Sequence, residues 1–230
     1  MAVKNLALIA AAGLLAYAAW RMNQESEDVA LDFELDAGEG GDWLGSADGI
    51  LTDATQTTAE VIDSLTGGIL RVSNMAKVTP IDLQNRNVQA MLRVIRRGEG
   101  TSDADGYRRI FGGQLFSGYA DHPRITVSKS GYTSSAAGAY QFIVSSWDET
   151  KRVMGLKDFS PASQDLAAVG RIAARGALDD VKAGRFEAAI KKIAREWASL
   201  PGSPYGQPTI SMDTAKSVFA LAGGNDTAFA

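Results

Sequence analysis

The chain has no cysteine and a single histidine, His122. Without cysteine there is no disulfide framework, no thiolate nucleophile and no zinc–thiolate site, and one histidine cannot supply a multi-histidine metal centre. A Ser-His-Asp hydrolase would need His122 as its base, and nothing around that residue recommends it. No P-loop, dinucleotide fingerprint or aromatic–basic ladder occurs, so no cofactor, metal or nucleic-acid partner is expected. Carboxylates, amines and hydroxyls are what remain for chemistry.

Charge is unevenly spread over the 230 residues. Residues 1–86 hold 5 Lys+Arg against 13 Asp+Glu, net -8, whereas residues 87–230 hold 18 against 14, net +4. Two regions with different tasks are the simplest explanation.

Long apolar runs are also scarce. The one of note, "LALIAAAGLLAYAAW" (residues 6–20), has 15 uncharged residues, short of the roughly 20 that span a bilayer. Lys4 and Arg21 flank it and could snorkel to extend its reach. A membrane anchor, a cleaved signal peptide and a buried soluble helix all compete; Tyr17, Trp20 and Arg21 resemble an interfacial belt and favour the anchor over residues 1–22. The acidic segment beyond Arg21 then argues for an N-in, C-out orientation. Residues 23–63 carry twelve acidic and no basic side chains, and residues 23–79 read as an acidic linker or stalk. Within it Ile50, Leu51, Ala54, Val61, Ile62 and Leu65 recur at near-helical spacing up to Gly67-Gly68, as in an amphipathic partner helix or a solvated linker helix.

From residue 80 to 230 the pattern is that of a compact fold. Val88, Met91, Leu92 and Ile95 follow the i, i+3, i+4, i+7 rule, with Asn87 available as a cap. Short strand-like runs, "YRRIF", "QLF" and "RITVS", are divided by Gly112-Gly113 and Gly118, and helical patterns follow from Gly138 onward. A helix, a small glycine-rich hairpin region and then several helices, without βαβ alternation, define the α+β class.

Glu99 extends the apolar stripe of the first of these helices by one turn. Desolvation there would raise its pKa, as would the negative end of the helix dipole. Gly98 and Gly100 leave room for a ligand beside it. A protonated general acid near neutral pH is one reading; a solvated residue at a frayed helix end is the other, since glutamates mostly stay exposed.

The blocks "GEGT", "GYRRIFGGQLFSGYADHPR", "SAAGAYQF", "GLKDFSPASQDLAA", "RGALDDVKAGRFEAAI" and "WASLPGSPYGQ", in this order between residues 88 and 207, resemble the bacteriophage lambda endolysin family of lytic transglycosylases. The resemblance implies a lysozyme-like fold that cleaves the β-1,4 bond between N-acetylmuramic acid and N-acetylglucosamine of peptidoglycan, leaving a 1,6-anhydro sugar. It maps the family's catalytic glutamate onto Glu99. It also places Tyr140 and Gln141 of "GAYQ" by the cleft, though Ala139 stands where relatives carry a basic residue and Tyr140 reads equally well as a core aromatic. Tyr205 and Gln207 are candidate sugar contacts or structural loop residues. His122 and Pro123 read as loop structure.

Asp103, Asp105 and Asp121 are turn formers or ion-pair partners on turn statistics; a hydrolytic muramidase would require one of them to face Glu99. The expected partners are peptidoglycan strands, a membrane through the N-terminal helix, and virion proteins. A net charge of +4 in residues 87–230 suits steering toward an anionic wall mesh. The leading expectation is a membrane-tethered virion enzyme, in a virion membrane or the host inner membrane, with its catalytic domain facing the periplasm and cell wall. A lysis endolysin with a signal anchor and an inactive wall-binding virion protein are the alternatives.

Overall fold

The computed structural model describes residues 66–129 and 131–227. The apolar run 6–20, the acidic stretch 23–63 and the amphipathic pattern before residue 66 lie outside them. Among the described residues no helix is long and apolar enough to cross a membrane.

The described chain is mostly helical with one two-stranded sheet. Residues 66–76 are helical, a 3-10 turn covers Pro80–Gln84, and α1 spans Arg86–Gly98. A second 3-10 turn (Gly106–Arg108) precedes the hairpin of β1 (Val127–Lys129) and β2 (Tyr132–Ser134). Then come α2 (Val144–Met154), α3 (Pro161–Ala174), α4 (Leu178–Lys182), α5 (Phe186–Ile193) and α6 (Met212–Leu221). This is the α+β arrangement expected from the sequence pattern, a small sheet beside a helical bulk.

Two local expectations are corrected. Gly67-Gly68 read as a helix stop, yet both residues are helical. Met75 is fully buried and, with Met154, fills the space that a side chain at Gly170 of α3 would need. The cap of α1 is Asn85, whose side chain accepts from the amides of Asn87 (2.9 Å) and Val88 (3.2 Å). Asn87 is instead buried, donating to the Lys182 carbonyl at 3.1 Å and accepting from the Asn225 amide at 2.8 Å.

The stripe Val88, Met91, Leu92, Ile95 is buried as predicted, and α1 packs against α3, α4 and α6. Helix α3 is buried over most of its length, with Ala167, Ala168, Val169 and Ile172 fully buried. Its start follows from Ser160-Pro161: the serine hydroxyl accepts from the Ser163 amide, and proline occupies the first turn. An aromatic cluster joins α2 to the loops. Trp147 and Phe159 meet edge to face at 4.6 Å, and His122 lies 5.0 Å from Phe159.

The sheet is smaller than the strand-like runs suggested. "YRRIF" contributes the 3-10 turn and two isolated bridges, Arg109 to Leu115 and Ile110 to Ala137. The antiparallel hairpin pairs Val127 with Ser134 and Lys129 with Tyr132.

Hydrogen bonds from separate elements pin residues 138–142. The Gly138 amide donates to the Arg109 carbonyl at 2.8 Å, and the Ala139 amide to Gln164 Oε1 at 2.8 Å. Thr101 Oγ1 donates to the Ala139 carbonyl at 2.5 Å, and Trp197 Nε1 to that of Tyr140 at 3.1 Å. Thr101 is fully buried, so replacing it with a near-isosteric apolar residue leaves the Ala139 carbonyl short of a partner. Thr101→Val should therefore destabilise the protein by about 1–3 kcal/mol in urea unfolding.

Candidate active site

Helix α1 ends in a way that presents Glu99. Its amide donates to the Ile95 carbonyl at 2.9 Å, and the Thr101 amide reaches back to the Arg96 carbonyl at 2.9 Å. Gly100 between them has φ 68°, the left-handed step of a Schellman-type stop. Gly98 matters for space: a Cβ there would lie 2.6 Å from Ser199 Oγ. Its absence lets Ser199 approach and donate to Glu99 Oε1 at 2.6 Å.

Glu99 is half-buried and lines a cleft. Desolvation by the surrounding protein pushes its pKa from the ordinary 4.5 up to about 7, against the opposing hydrogen bond from Ser199. The adjacent cations do not cancel this. Arg96 donates to the carbonyls of Thr101 (2.8 Å) and Asp103 (3.1 Å), and its guanidinium lies 4.6 Å from the centre of the Tyr107 ring. Arg97 is exposed.

The cleft has a volume of about 570 Å³, within the range of small-ligand sites. Glu99 and Ser199 line it together with Gln141, the hairpin residues Tyr132 to Ser134, Trp197 and Gln207. Gln141 stands at φ 47°, a conformation that costs a non-glycine residue about 1–2 kcal/mol. Its amide nitrogen donates to the carbonyls of Gly138 (2.9 Å) and Arg109 (3.1 Å), which fixes the side chain and leaves Oε1 as the atom able to accept from a ligand.

Not all the expected sugar contacts are brought together. Gln141 and Gln207 line the cleft. Tyr140 does not: it is 1% exposed, and its hydroxyl donates to Asp165 at 2.6 Å. Burial foremost, then the charge of Asp165, raises its pKa well above the usual value. Its place is the core, because the "GAYQ" turn directs successive side chains to opposite sides. Tyr205 is exposed but is not among the cleft residues; its hydroxyl donates to the Arg195 carbonyl at 2.8 Å. His122 is loop structure, as read: the Arg124 amide donates to Nδ1 at 3.1 Å, so Nε2 carries the proton and donates to the Phe142 carbonyl at 2.8 Å. Burial lowers its pKa and keeps it neutral.

The other carboxylates are occupied. Arg109 donates to both oxygens of Asp103 at 2.8 and 2.7 Å, and that hydrogen bond leads in lowering the Asp103 pKa. Asp105 pairs with Arg108 at 2.7 Å. Burial works to raise the pKa of Asp121, but hydrogen bonds from Trp147 and Lys151 (both 2.9 Å) and Arg124 (3.3 Å) hold it well below the carboxylate range. None of the three lines the cleft. Glu196 does, yet it is clamped by Arg171 (2.5 Å) and Arg175 (2.8 Å).

Two further cleft residues, Ser199 and Tyr132, carry no signal in the sequence. Ser199 sits in the "WASLPG" block but is 100 residues from Glu99, and nothing local in either stretch announces the pair. Tyr132, in the hairpin, lines the cleft while 56% exposed.

Fold and cleft together define the class: this is a lysozyme-like protein. The Endolysin family model matches residues 89–226, and the chain belongs to that family, and so to the cell-wall lytic enzymes of phages. The endolysin of Escherichia phage lambda is 40% identical over 147 residues, covering 61% of this chain and 93% of that protein. The endolysin of Escherichia phage P2 is 37% identical over 161 residues, covering 63% and 98%. A solved structure of bacteriophage lambda lysozyme complexed with a chitohexasaccharide superposes with a TM-score of 0.59 at 39% identity, over 62% of this chain and 97% of that one.

The raised pKa of Glu99 has a thermodynamic consequence. Its folded value, about 7, lies above the ordinary 4.5. The stability that protonation supplies is therefore full below pH 4.5 and is lost as pH rises through 7. After allowance for its partial exposure the loss is on the order of 1–3 kcal/mol. Glu99→Gln, which cannot ionise, should gain stability relative to wild type between pH 5 and pH 8, measured by urea unfolding at both.

Proposed function

We propose that the protein is a peptidoglycan lytic transglycosylase with Glu99 as its sole acid and base. One observation carries this reading: of the two carboxylates lining the cleft, Glu196 is held by two arginines, and only Glu99 has a neutral partner. Ordinary glycosidases use two carboxyl groups, one as acid and one as nucleophile or as base for water. A transglycosylase manages with one.

Protonated Glu99 donates its proton to the glycosidic oxygen, and the bond from the muramoyl anomeric carbon to that oxygen breaks. The N-acetylglucosamine side departs with a free 4-hydroxyl. The positive charge at the anomeric carbon is met by the substrate's own N-acetyl carbonyl. Glu99, now a carboxylate, takes the proton from the 6-hydroxyl of the same muramoyl residue as that oxygen attacks the anomeric carbon. The 1,6-anhydro ring closes, Glu99 is again protonated and no water is consumed. A pKa near 7 suits both halves of the cycle. Ser199 donates to the charged form and thereby favours release of the proton in the first half. Gln141, Gln207 and the hairpin form the walls that hold the glycan strand.

Purified sacculi are the test substrate. Wild type should release anhydro-muropeptides, lighter by one water than hydrolytic products in mass spectrometry, at a rate that falls as pH rises above about 7. Glu99→Gln should lower the rate by at least about a hundredfold. Reducing ends in place of anhydro ends would make the protein a muramidase, and equal release by both forms would leave a wall-binding protein without catalysis.

The place of action is a second part of the proposal. A tether at residues 6–20 followed by an acidic spacer suits an enzyme of the virion that opens the wall during penetration, with a lysis enzyme held by a signal anchor as the alternative. Its support is compositional: the apolar run and its flanks Lys4, Tyr17, Trp20 and Arg21. Sequencing the amino terminus of the mature protein in a detergent-soluble fraction should give Met1 or Ala2; a start at Ala19 would show cleavage and remove the tether.

A further inference from the structure

Helix α1 carries a second cluster of functional groups beside the one that ends in Glu99. Arg93, Arg96 and Arg97 stand at i, i+3 and i+4 and so share one side of the helix, roughly a third of a turn from Glu99. They line a cavity of about 480 Å³ with Ser102 and, from α6, Val218 and Leu221. Arg93 and Arg97 are exposed, and among the described residues neither makes an ion pair with a carboxylate. Arg96 contributes its charge, while its donors are committed to the loop carbonyls. Leu221 is 89% exposed, so the cavity pairs cations with an apolar rim.

We infer that this cavity is an accessory site for the stem peptides of peptidoglycan, binding their carboxylates at Arg93 and Arg97 and their alkyl groups against Val218 and Leu221. The inference rests on the wall-cleaving reading and adds a recognition element outside the cleft. The chemistry selects the ligand: an unsubstituted glycan strand has no negative charge for the arginines, and a phosphate polymer has little alkyl surface for the rim. A stem peptide has both, and it hangs from every muramoyl residue of the strand on which Glu99 would act. Arginine pairs with carboxylates through two parallel hydrogen bonds, which fits an orienting contact.

The test measures binding separately from cleavage, using the Glu99→Gln protein and co-sedimentation with intact sacculi at low salt. Adding Arg93→Ala and Arg97→Ala should weaken binding about three- to thirtyfold, the range for two exposed ion pairs. The exposed positions make a folding defect easy to exclude by thermal melting. On sacculi whose carboxyl groups have been amidated, the protein with and without the arginines should bind alike. Arg152→Ala with Lys191→Ala, which removes the same charge from other exposed positions, should change binding less than twofold.

The accessory site is overturned if the arginine changes leave binding to native sacculi intact, if their effect persists on amidated sacculi, or if the control pair weakens binding equally. Failure of muropeptide release by wild type would instead strike the catalytic reading, and the binding comparison would stand apart from it.

Discussion

Glu99 gives up part of its hydration at the end of a helix and receives only a hydroxyl in return. A carboxylate so placed would ordinarily recruit a cation, and α1 supplies two in the adjoining positions. The fold keeps both from neutralising it. Arg96 is turned toward the carbonyls of the following loop and the face of Tyr107, and Arg97 stays at the surface. The bare Gly98 leaves room for Ser199. What results is a carboxyl group poised between its two protonation states, the condition for serving as acid in one half of a reaction and base in the other.

That arrangement depends on a polar latch around residues 138–142. Thr101 from the end of α1, Gln164 from α3, Trp197 from the segment before Ser199, and the Arg109 carbonyl each hold one group of this turn. Each donor or acceptor comes from a different part of the chain, so the turn fixes their mutual positions. The left-handed Gln141 is the point of strain, and it is also the latch residue that lines the cleft. Tyr140, one residue earlier, serves the opposite side by joining Tyr107 on Asp165.

The sequence revealed helices better than contacts. The stripe of α1, the Ser160-Pro161 start of α3 and the α+β class follow from periodicity and capping chemistry, which are local. Glu99 is conspicuous because it continues an apolar stripe, though the stretch alone reads more readily as a solvated, frayed helix end, and only the later blocks reverse that. The pair Glu99 and Ser199 could not be read, because their proximity is produced by the whole fold. Tyr140 and Gln141 show the limit most clearly: adjacent residues of one motif, they diverge to core and cleft because the turn gives them different backbone conformations. The helix through Gly67-Gly68 shows that glycine propensity is only a weak prior for where a helix stops.

The neutrality of the surroundings of Glu99 also separates two kinds of electrostatics in one molecule. Removal of water from a carboxyl is not reversed by mobile ions, whereas attraction between exposed charges fades beyond a Debye length of about 8 Å at physiological ionic strength. The protonation of Glu99 is thus insulated from the salt of the medium, while the net charge of +4 in residues 87–230 responds to it. On the proposed function, salt would loosen the protein's hold on an anionic mesh without detuning Glu99, so that an enzyme working along a polymer could move between sites and remain ready to cut at each.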